Sequence, residues 1–142
     1  MNRNSGSKHP LIGEVYNMYF DGSDHEQAGW RPGVVFQNNV GNAFSPNIIA
    51  LPLTSKIKKE HMPTHVVVKS ADSGLRVDSM VICENPKCIS KSKLGTYITR
   101  LSDEYMRSIA IGSMMATGAM AFMDFKSLFA VWQESYRLNG VA

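Results

Sequence analysis

Short apolar segments separated by polar, glycine-bearing stretches fill the first hundred residues of the chain. Alternating or β-branched apolar positions predict six strands, at 12–20, 33–38, 47–54, 64–69, 78–84 and 95–101. The intervening stretches at 21–31, 39–46, 55–62 and 71–74 are predicted to be loops or turns, because they show no helical period. Several short strands at close spacing are typical of a small β-barrel or sandwich.

The periodicity becomes helical at Ser102. Ser102 is a good N-cap, and Asp103 and Glu104 suit the positive end of a helix dipole. Apolar residues then follow at helical spacing, at Met106, Ile109, Ala110 and Met114. The sequence therefore predicts a helix that caps the barrel and ends or kinks near Gly118.

A second amphipathic helix is predicted over 119–138. Its apolar face, which we call the aromatic stripe, consists of Phe122, Phe125, Phe129, Trp132 and Tyr136. Packing of this stripe on its own domain is favoured, because such stripes most often belong to a core. A dimer or partner surface is the alternative. The predicted organisation is a flexible leader (1–10), a barrel domain with its capping helix (11–118) and a helical extension (119–142).

Composition places the chain among ordinary globular proteins. Its 142 residues are 44% hydrophobic and carry a formal net charge of +3, which suits one domain with its own core. The leader lacks the apolar segment of a secretory signal, and no stretch approaches the roughly 20 apolar residues of a membrane span. Only two cysteines occur, Cys83 and Cys88, and both are predicted to be reduced. These features predict a cytoplasmic protein with no membrane attachment.

Lysines are concentrated in two short runs. The first comprises Lys56, Lys58 and Lys59, and the second Lys87, Lys91 and Lys93. Two basic runs can border one groove for a polyanion, although solvated loops carry such runs more often. The histidines are scattered, and the sequence has no zinc-ligand spacing, phosphate-binding glycine loop or nucleophile elbow. No metal site and no cofactor are predicted.

Reactive residue types are concentrated between the first two predicted strands, from His25 to Pro32. Arg31 offers a planar fork of donors that suits a phosphate group. His25 and Glu26 can exchange protons. A loop arginine is more often simply solvated, so composition alone leaves the role of this segment open.

A series of motifs gives this segment a more specific meaning. In chain order, the motifs are Gly13-Glu14-Val15, EQAGWRP at 26–32, VVFQNN at 34–39, PLTS at 52–55, PTHV at 63–66 and DSMV at 78–81. The series resembles the MazF/PemK family of toxin ribonucleases from toxin–antitoxin pairs, over about 12–117. The resemblance implies a mainly β fold with C-terminal helices, an SH3-like β-barrel that works as a homodimer.

The resemblance also implies a reaction. The family cuts single-stranded RNA without metal, by attack of the ribose 2′-hydroxyl on the adjacent phosphate, which leaves a 2′,3′-cyclic phosphate and a 5′-hydroxyl. Its catalytic arginine and threonine fall on Arg31 and Thr54. Glu26 matches an acidic residue of the same loop, which acts as a base or holds Arg31. Where many members have serine, this chain has His25, a residue type that titrates near neutral pH, and we hypothesise that it assists proton transfer.

Partners follow from the same resemblance. Lys56, Lys58 and Lys59 would contact RNA phosphates. The candidates for base stacking or base-edge contacts are Gln27, Trp30, His65 and Asn85. Some relatives read bases with glutamine at the site of Asn85, so their sequence preference is not transferred. The expected protein partner is a cognate antitoxin whose disordered segment covers the RNA groove, with DNA contacted only indirectly through it.

A non-catalytic role is the alternative. CcdB-like toxins poison DNA gyrase with the same barrel, and a degenerate family member would merely bind RNA or an antitoxin. The presence of Arg31 and Thr54 together argues against both. A generic SH3-like module would need a groove of exposed aromatic residues for Pro-rich peptides, whereas the aromatic residues of the first hundred positions lie mainly within predicted strands.

Overall fold

The computed structural model describes residues 8–22 and 28–139 and consists, in these ranges, of an antiparallel sheet with two short helices between its strands and two longer helices after it. The strands are β1 (Glu14–Phe20), β2 (Gly29–Val35), β3 (Asn47–Thr54), β4 (His65–Val68), β5 (Ser79–Ile82), β6 (Lys87–Ser90) and β7 (Leu94–Arg100). The helices are α1 (Asn39–Phe44), α2 (Ser70–Ser73), α3 (Asp103–Ala116) and α4 (Phe125–Asn139), with 3-10 turns at Lys91–Lys93 and Ala119–Phe122.

The strands pair in the order β4-β5-β3-β2-β1-β7, and β6 pairs with β3. The start of β3 pairs with β6 at Asn47–Ala50, while its end pairs with β5 at Leu53 and Thr54. The path ends at β4 and β7, which do not pair with each other in the described ranges, so the sheet is not closed. The predicted mainly β fold with C-terminal helices is confirmed.

Two apolar clusters lie on opposite faces of the sheet. Val15 belongs to the cluster that α3 covers through Ile109, while its neighbour Tyr16 belongs to the other cluster. Consecutive residues of a strand point to opposite faces, so β1 is buried on both. This double burial explains the imperfect alternation of apolar residues in the first predicted strand.

Strand β2 begins at Gly29, four residues before the start predicted from Gly33. The polar, glycine-bearing residues at 21–31 predict a loop, and Pro32 predicts the opening of the strand, because proline is tolerated at a strand start. In the structure β2 pairs with β1 from Gly29 onward but with β3 only from Gly33 onward. Pro32 therefore lies where β2 has a neighbour on one side only, and its missing N–H costs no ladder hydrogen bond.

Three short elements fall where the sequence predicted no helix or strand: α1, β6 and α2, the last of which forms a single helical turn at the turn predicted over 71–74. Helix α1 occupies the predicted loop at 39–46, where the side chain of Asn38 accepts from Gly41 N–H at 2.8 Å and Asn42 is buried. Strand β6 has only one buried side chain, Ile89, and depends on pairing with β3. Helix α1 is specified by its local cap and β6 by its pairing with β3, rather than by an apolar period.

Helix α3 follows the prediction closely. It begins at Asp103, and the Ser102 hydroxyl oxygen accepts from Tyr105 N–H at 3.3 Å. Gly112 allows a close approach to the sheet, because a Cβ there would lie 2.8 Å from the Pro63 carbonyl oxygen. Packing of α3 thereby fixes the chain segment that leads into β4.

Both cysteines are free thiols, as predicted. Cys83 is buried under α3, and burial raises the pKa of its thiol to about 11. A thiol with this pKa stays protonated near neutral pH and is a poor nucleophile. Cys88 is exposed on β6.

Helix α4 does not pack its aromatic stripe on the domain, so the favoured packing is wrong. Every described side chain of α4 except Ser135 is exposed, and the apolar core ends at Ile109. The rings of Phe129, Trp132 and Tyr136 instead contact one another along the helix, with centroids 5.7 and 5.8 Å apart. Phe122 lies before the helix, in a 3-10 turn, and is 90% exposed. No helix in the described ranges is long and apolar enough to cross a membrane.

Candidate active site

An open groove of about 900 Å³ lies where the ends of β2 and β3 meet β5 and the segments beside it. Among the residues that the structure describes, its lining carries the basic side chains of Arg31, Lys56, Lys58 and Lys59. Glu84 is the one acidic side chain that the same residues contribute to the lining. The groove is therefore cationic and suits a negatively charged ligand.

Arg31 and Thr54 are brought to this groove by the pairing of β2 with β3. Gly33 pairs with Pro52, and Arg31 and Thr54 each lie two residues beyond that pair, toward the same end of the sheet. Residues two apart on a strand point to the same face. Both side chains accordingly line the groove, as a guanidinium and a hydroxyl from separate strands.

The Arg31 guanidinium is oriented by the backbone that precedes it. Its Nε and Nη2 donate to the Ala28 carbonyl oxygen at 3.2 and 3.0 Å. Gly29, which follows Ala28 in the chain, has a backbone φ of 84°, a value that residues other than glycine rarely adopt. The backbone turn at Gly29 lets the Ala28 carbonyl point back at the arginine of the same segment.

Thr54 is the last residue of β3, and its hydroxyl oxygen accepts from Lys56 N–H at 3.1 Å. A hydroxyl has one proton and two acceptor sites, so accepting this bond leaves its proton for a ligand oxygen. The bond also begins the turn into residues 55–59, which we call the lysine loop. Lys56, Lys58 and Lys59 are exposed on this loop.

His65, at the start of β4, faces the far end of the lysine loop. Its Nδ1 is 3.1 Å from the Lys59 carbonyl oxygen, and its Nε2 is 2.6 Å from Glu84 Oε1. Burial opposes the charged imidazole, but the hydrogen bonds to Glu84 and Lys59 outweigh it and raise the pKa of His65. The Thr64 hydroxyl, which donates to Glu84 Oε2 at 2.7 Å, and His65 together lower the pKa of Glu84.

Asn85 also lines the groove, immediately after Glu84. Its backbone N–H donates to the Ile82 carbonyl at 3.3 Å in the turn that leaves β5. Its half-buried amide side chain offers both a donor and an acceptor at the groove. This combination suits contact with a base edge.

Other predicted residues lie elsewhere. Trp30 is not in the groove lining; its ring contacts Tyr19, with centroids 5.6 Å apart, because Trp30 and Arg31 point to opposite faces of β2. The second lysine run is also absent from the lining, and Lys93 pairs with Asp21 beside Tyr19. The predicted residues His25, Glu26 and Gln27 lie outside the described residues.

The structure adds groove residues that the sequence analysis did not single out. These residues come from β5 and its approach. Ser79, Met80 and Ile82 lie in β5, and Val77 lies two residues before the strand. Val77 is 55% exposed there and offers an apolar contact at the groove. The only sequence signal was the DSMV motif, whose residues read as an ordinary buried strand. In the described ranges, no group of three or more His, Cys, Asp or Glu side chains is placed to hold a metal ion.

Comparison with known proteins gives the family of the chain. The model of the PemK-like, MazF-like toxins of type II toxin–antitoxin systems matches residues 12–112. The chain belongs to this family. All described groove residues lie within the matched segment of this PemK/MazF-like protein, whereas α4 lies beyond it.

Individual relatives agree with this assignment. The PemK/MazF-like chain is 40% identical over 100 residues to endoribonuclease EndoA of Bacillus subtilis, covering 70% of this chain and 84% of that protein. It is 37% identical over 84 residues to endoribonuclease MazF of Staphylococcus saprophyticus, covering 59% of this chain and 70% of that protein.

Solved structures show the same fold. A mycobacterial endoribonuclease in complex with its cognate antitoxin aligns with a TM-score of 0.64 at 26% identity, covering 77% of this chain and 95% of that one. MazF from Deinococcus radiodurans aligns with a TM-score of 0.68 at 20% identity, covering 79% and 99%, a likeness of fold alone.

Proposed function

We propose that this PemK/MazF-like protein is a toxin endoribonuclease that cuts single-stranded RNA in the cationic groove. The observation that carries the proposal is that Arg31 and Thr54 share one face at the β2–β3 end and line the groove together. The relatives named endoribonucleases support the reaction class.

The proposed reaction is attack of a ribose 2′-hydroxyl on the adjacent phosphorus. The bond from phosphorus to the 5′-oxygen breaks, which gives a 2′,3′-cyclic phosphate and a 5′-hydroxyl. Negative charge builds on the non-bridging oxygens, where the Arg31 guanidinium and the Thr54 hydroxyl proton stabilise it. The 2′-hydroxyl loses a proton and the 5′-oxygen gains one, and the predicted proton carriers are His25 and Glu26.

Substrate binding in this proposal divides between phosphate and base contacts. The lysine loop contacts phosphates, which position the strand without reading its sequence. Asn85 contacts a base edge and contributes to sequence selectivity. A single strand suits this arrangement, because its bases are accessible to edge contacts. Substitution of Asn85 with alanine should therefore change which sequences are cut, as mapped on mixed RNA.

Cleavage of mixed-sequence single-stranded RNA in excess EDTA tests the proposed reaction. We expect cleavage to persist and the fragments to end in 2′,3′-cyclic phosphate and 5′-hydroxyl, since the groove supplies the charge stabilisation itself. Cleavage that requires a divalent ion, or fragments with 5′-phosphates, would contradict this mechanism. Binding without cleavage would favour the non-catalytic alternative. The pH profile of His25→Ser in the same assay tests the role of that histidine.

We also propose a cognate antitoxin as the protein partner. A mycobacterial relative has been solved with its cognate antitoxin, and a flexible acidic segment would fit the cationic groove of this chain. The groove would then be blocked to RNA. Loss of RNA cleavage at a one-to-one ratio of antitoxin to toxin tests this proposal.

We also propose that this chain self-associates through α4, a contact separate from the homodimer implied by the family, because α4 lies beyond the matched segment. The four stripe residues that lie in α4, Phe125, Phe129, Trp132 and Tyr136, are exposed on one helix face, which two copies would cover mutually. We expect Phe129→Lys to weaken self-association at least tenfold in sedimentation equilibrium, because it places a charge in that contact. Ala130→Lys adds the same charge off the stripe and serves as the control. Equal association of both variants and the unmodified chain would contradict a role for the stripe.

A further inference from the structure

The His65 imidazole lies between two protein oxygens, one at each ring nitrogen. The Lys59 carbonyl and the Glu84 carboxylate both act as acceptors, at 3.1 and 2.6 Å. A neutral imidazole has a single N–H, so it would leave one nitrogen lone pair facing an oxygen lone pair. The imidazolium donates to both and satisfies both contacts.

The Lys59 side of this bridge holds an unusual backbone conformation. Lys59 has a φ of 50°, in the left-handed region that non-glycine residues rarely adopt. Such a conformation persists where surrounding contacts hold it. The Lys59 carbonyl accepts from His65 and from Met62 N–H, the latter at 3.0 Å. These two bonds hold the end of the lysine loop.

The Glu84 side of the bridge is anchored independently. Its second carboxylate oxygen accepts from the Thr64 hydroxyl at 2.7 Å. The groups that face the imidazole are Glu84 from the segment after β5 and the backbone of Lys58 and Lys59 from the lysine loop. The Lys59 ammonium also favours the ionised form of Glu84. The carboxylate is thus a fixed anion against which the imidazolium is held.

We propose that His65 is a positioning residue, which as an imidazolium ties the Lys59 carbonyl to Glu84 and so holds the lysine loop where its ammonium groups meet RNA phosphates. The inference rests on the proposed function for its ligand, single-stranded RNA. It gives His65 an indirect role in place of the base contact predicted from the sequence. Both ring nitrogens are already engaged by the protein, which leaves neither for a base edge.

RNA affinity should then depend on pH. The pKa of His65 is raised, so the bridge is complete below the ordinary histidine value and is lost as pH rises through the raised value. We expect the Kd for RNA to increase as pH rises from about 6 to about 8.5, across the titration range of histidine. The probe is a mixed-sequence single strand with 2′-O-methyl riboses, which lacks the attacking hydroxyl and is not cut.

His65→Gln removes the titrating group and one of the two donated bonds. We expect it to bind this probe roughly tenfold more weakly at pH 6, the factor expected for one charge-assisted hydrogen bond, with a smaller change of Kd between about pH 6 and about pH 8.5 than the unmodified chain shows. The slope of log Kd against log salt should also fall, by about 0.7 for each phosphate of the single strand that the lysine loop no longer neutralises. Lys58→Ala calibrates that change in slope. His61→Gln is the matched control, because His61 is an exposed histidine nearby that does not line the groove.

An NMR titration of the free protein separates this inference from the proposed function. We expect the Lys59 amide resonance to follow the titration of the His65 imidazole in the unmodified chain and in His61→Gln. Titration of His65 without a response at Lys59 would overturn the inference, as would unchanged RNA affinity and pH dependence in His65→Gln. A coupled titration in a protein that neither binds nor cuts RNA would instead overturn the proposed function and leave the loop-holding bridge standing.

Discussion

Replacing Arg31 with alanine is expected to lower kcat for RNA cleavage by at least 10²- to 10³-fold, the range measured when one transition-state donor is removed. The guanidinium is the cation at the β2–β3 end of the groove, and the Ala28 carbonyl fixes its orientation. The phosphodiester already carries one negative charge, and additional negative charge develops on its non-bridging oxygens as the 2′-oxygen attacks. Loss of Arg31 should therefore reduce kcat far more than it reduces RNA affinity.

Two further substitutions make the Arg31 result specific. Arg31→Lys keeps the positive charge but loses the planar fork, so we expect a kcat between those of the alanine variant and the unmodified chain. Arg107→Ala removes an exposed arginine of α3 outside the groove and should leave kcat unchanged. The rates come from single-turnover cleavage of one labelled RNA. A kcat for Arg31→Ala within a few-fold of the unmodified chain would contradict the proposed mechanism.

Thr54→Val is expected to lower kcat by roughly 10²-fold, with a small change in RNA affinity. Valine keeps the β-branched shape that suits a strand end but has no proton to donate. The Thr54 hydroxyl oxygen already accepts from Lys56 N–H. The interaction with a ligand that the substitution removes is therefore the hydrogen bond that the hydroxyl donates to a phosphate oxygen. Single-turnover rates and the Kd for the 2′-O-methyl strand measure the two effects separately.

Thr54→Ser provides the control for this prediction. Serine restores both the donor and the acceptor, so most of the rate should return. If valine and serine reduced kcat equally, the effect would come from altered packing at the strand end or a shifted lysine loop, and the hydroxyl would have no catalytic role. Equal midpoints of thermal unfolding for the two variants would establish that a difference in kcat comes from the active site and not from a difference in stability.

The motifs predicted which residues form the site, but strand pairing decides how they meet. Arg31 and Thr54 were identified from EQAGWRP and PLTS, and β2–β3 pairing brings them to one face. Trp30 belongs to the same motif, yet alternation along β2 turns it to the opposite face. A sequence motif does not show which face of a strand a residue occupies when the start of that strand is predicted wrongly, as the start of β2 at Gly29 was.

The role of His65 shows a second limit. The PTHV motif identified the residue, and its type suggested a base contact. Its partners, the Lys59 carbonyl and the Glu84 carboxylate, come from a loop and a segment that fold against β4 from different parts of the chain. The tertiary structure brings these two partners to His65, and this contact is the reason to propose that His65 positions the lysine loop instead of binding a base.

The sequence by itself determined the class of fold, the capping helix after Ser102 and the family, because local hydrophobic period, capping residues and ordered motifs act over short stretches of chain. The tertiary structure decided that α4 presents its aromatic stripe to the outside, that β6 exists, and which lysine run lines the groove. These features depend on the free energy of contacts between segments distant in sequence. An apolar helical period is the same whether the helix packs on its own domain or leaves its face for a partner.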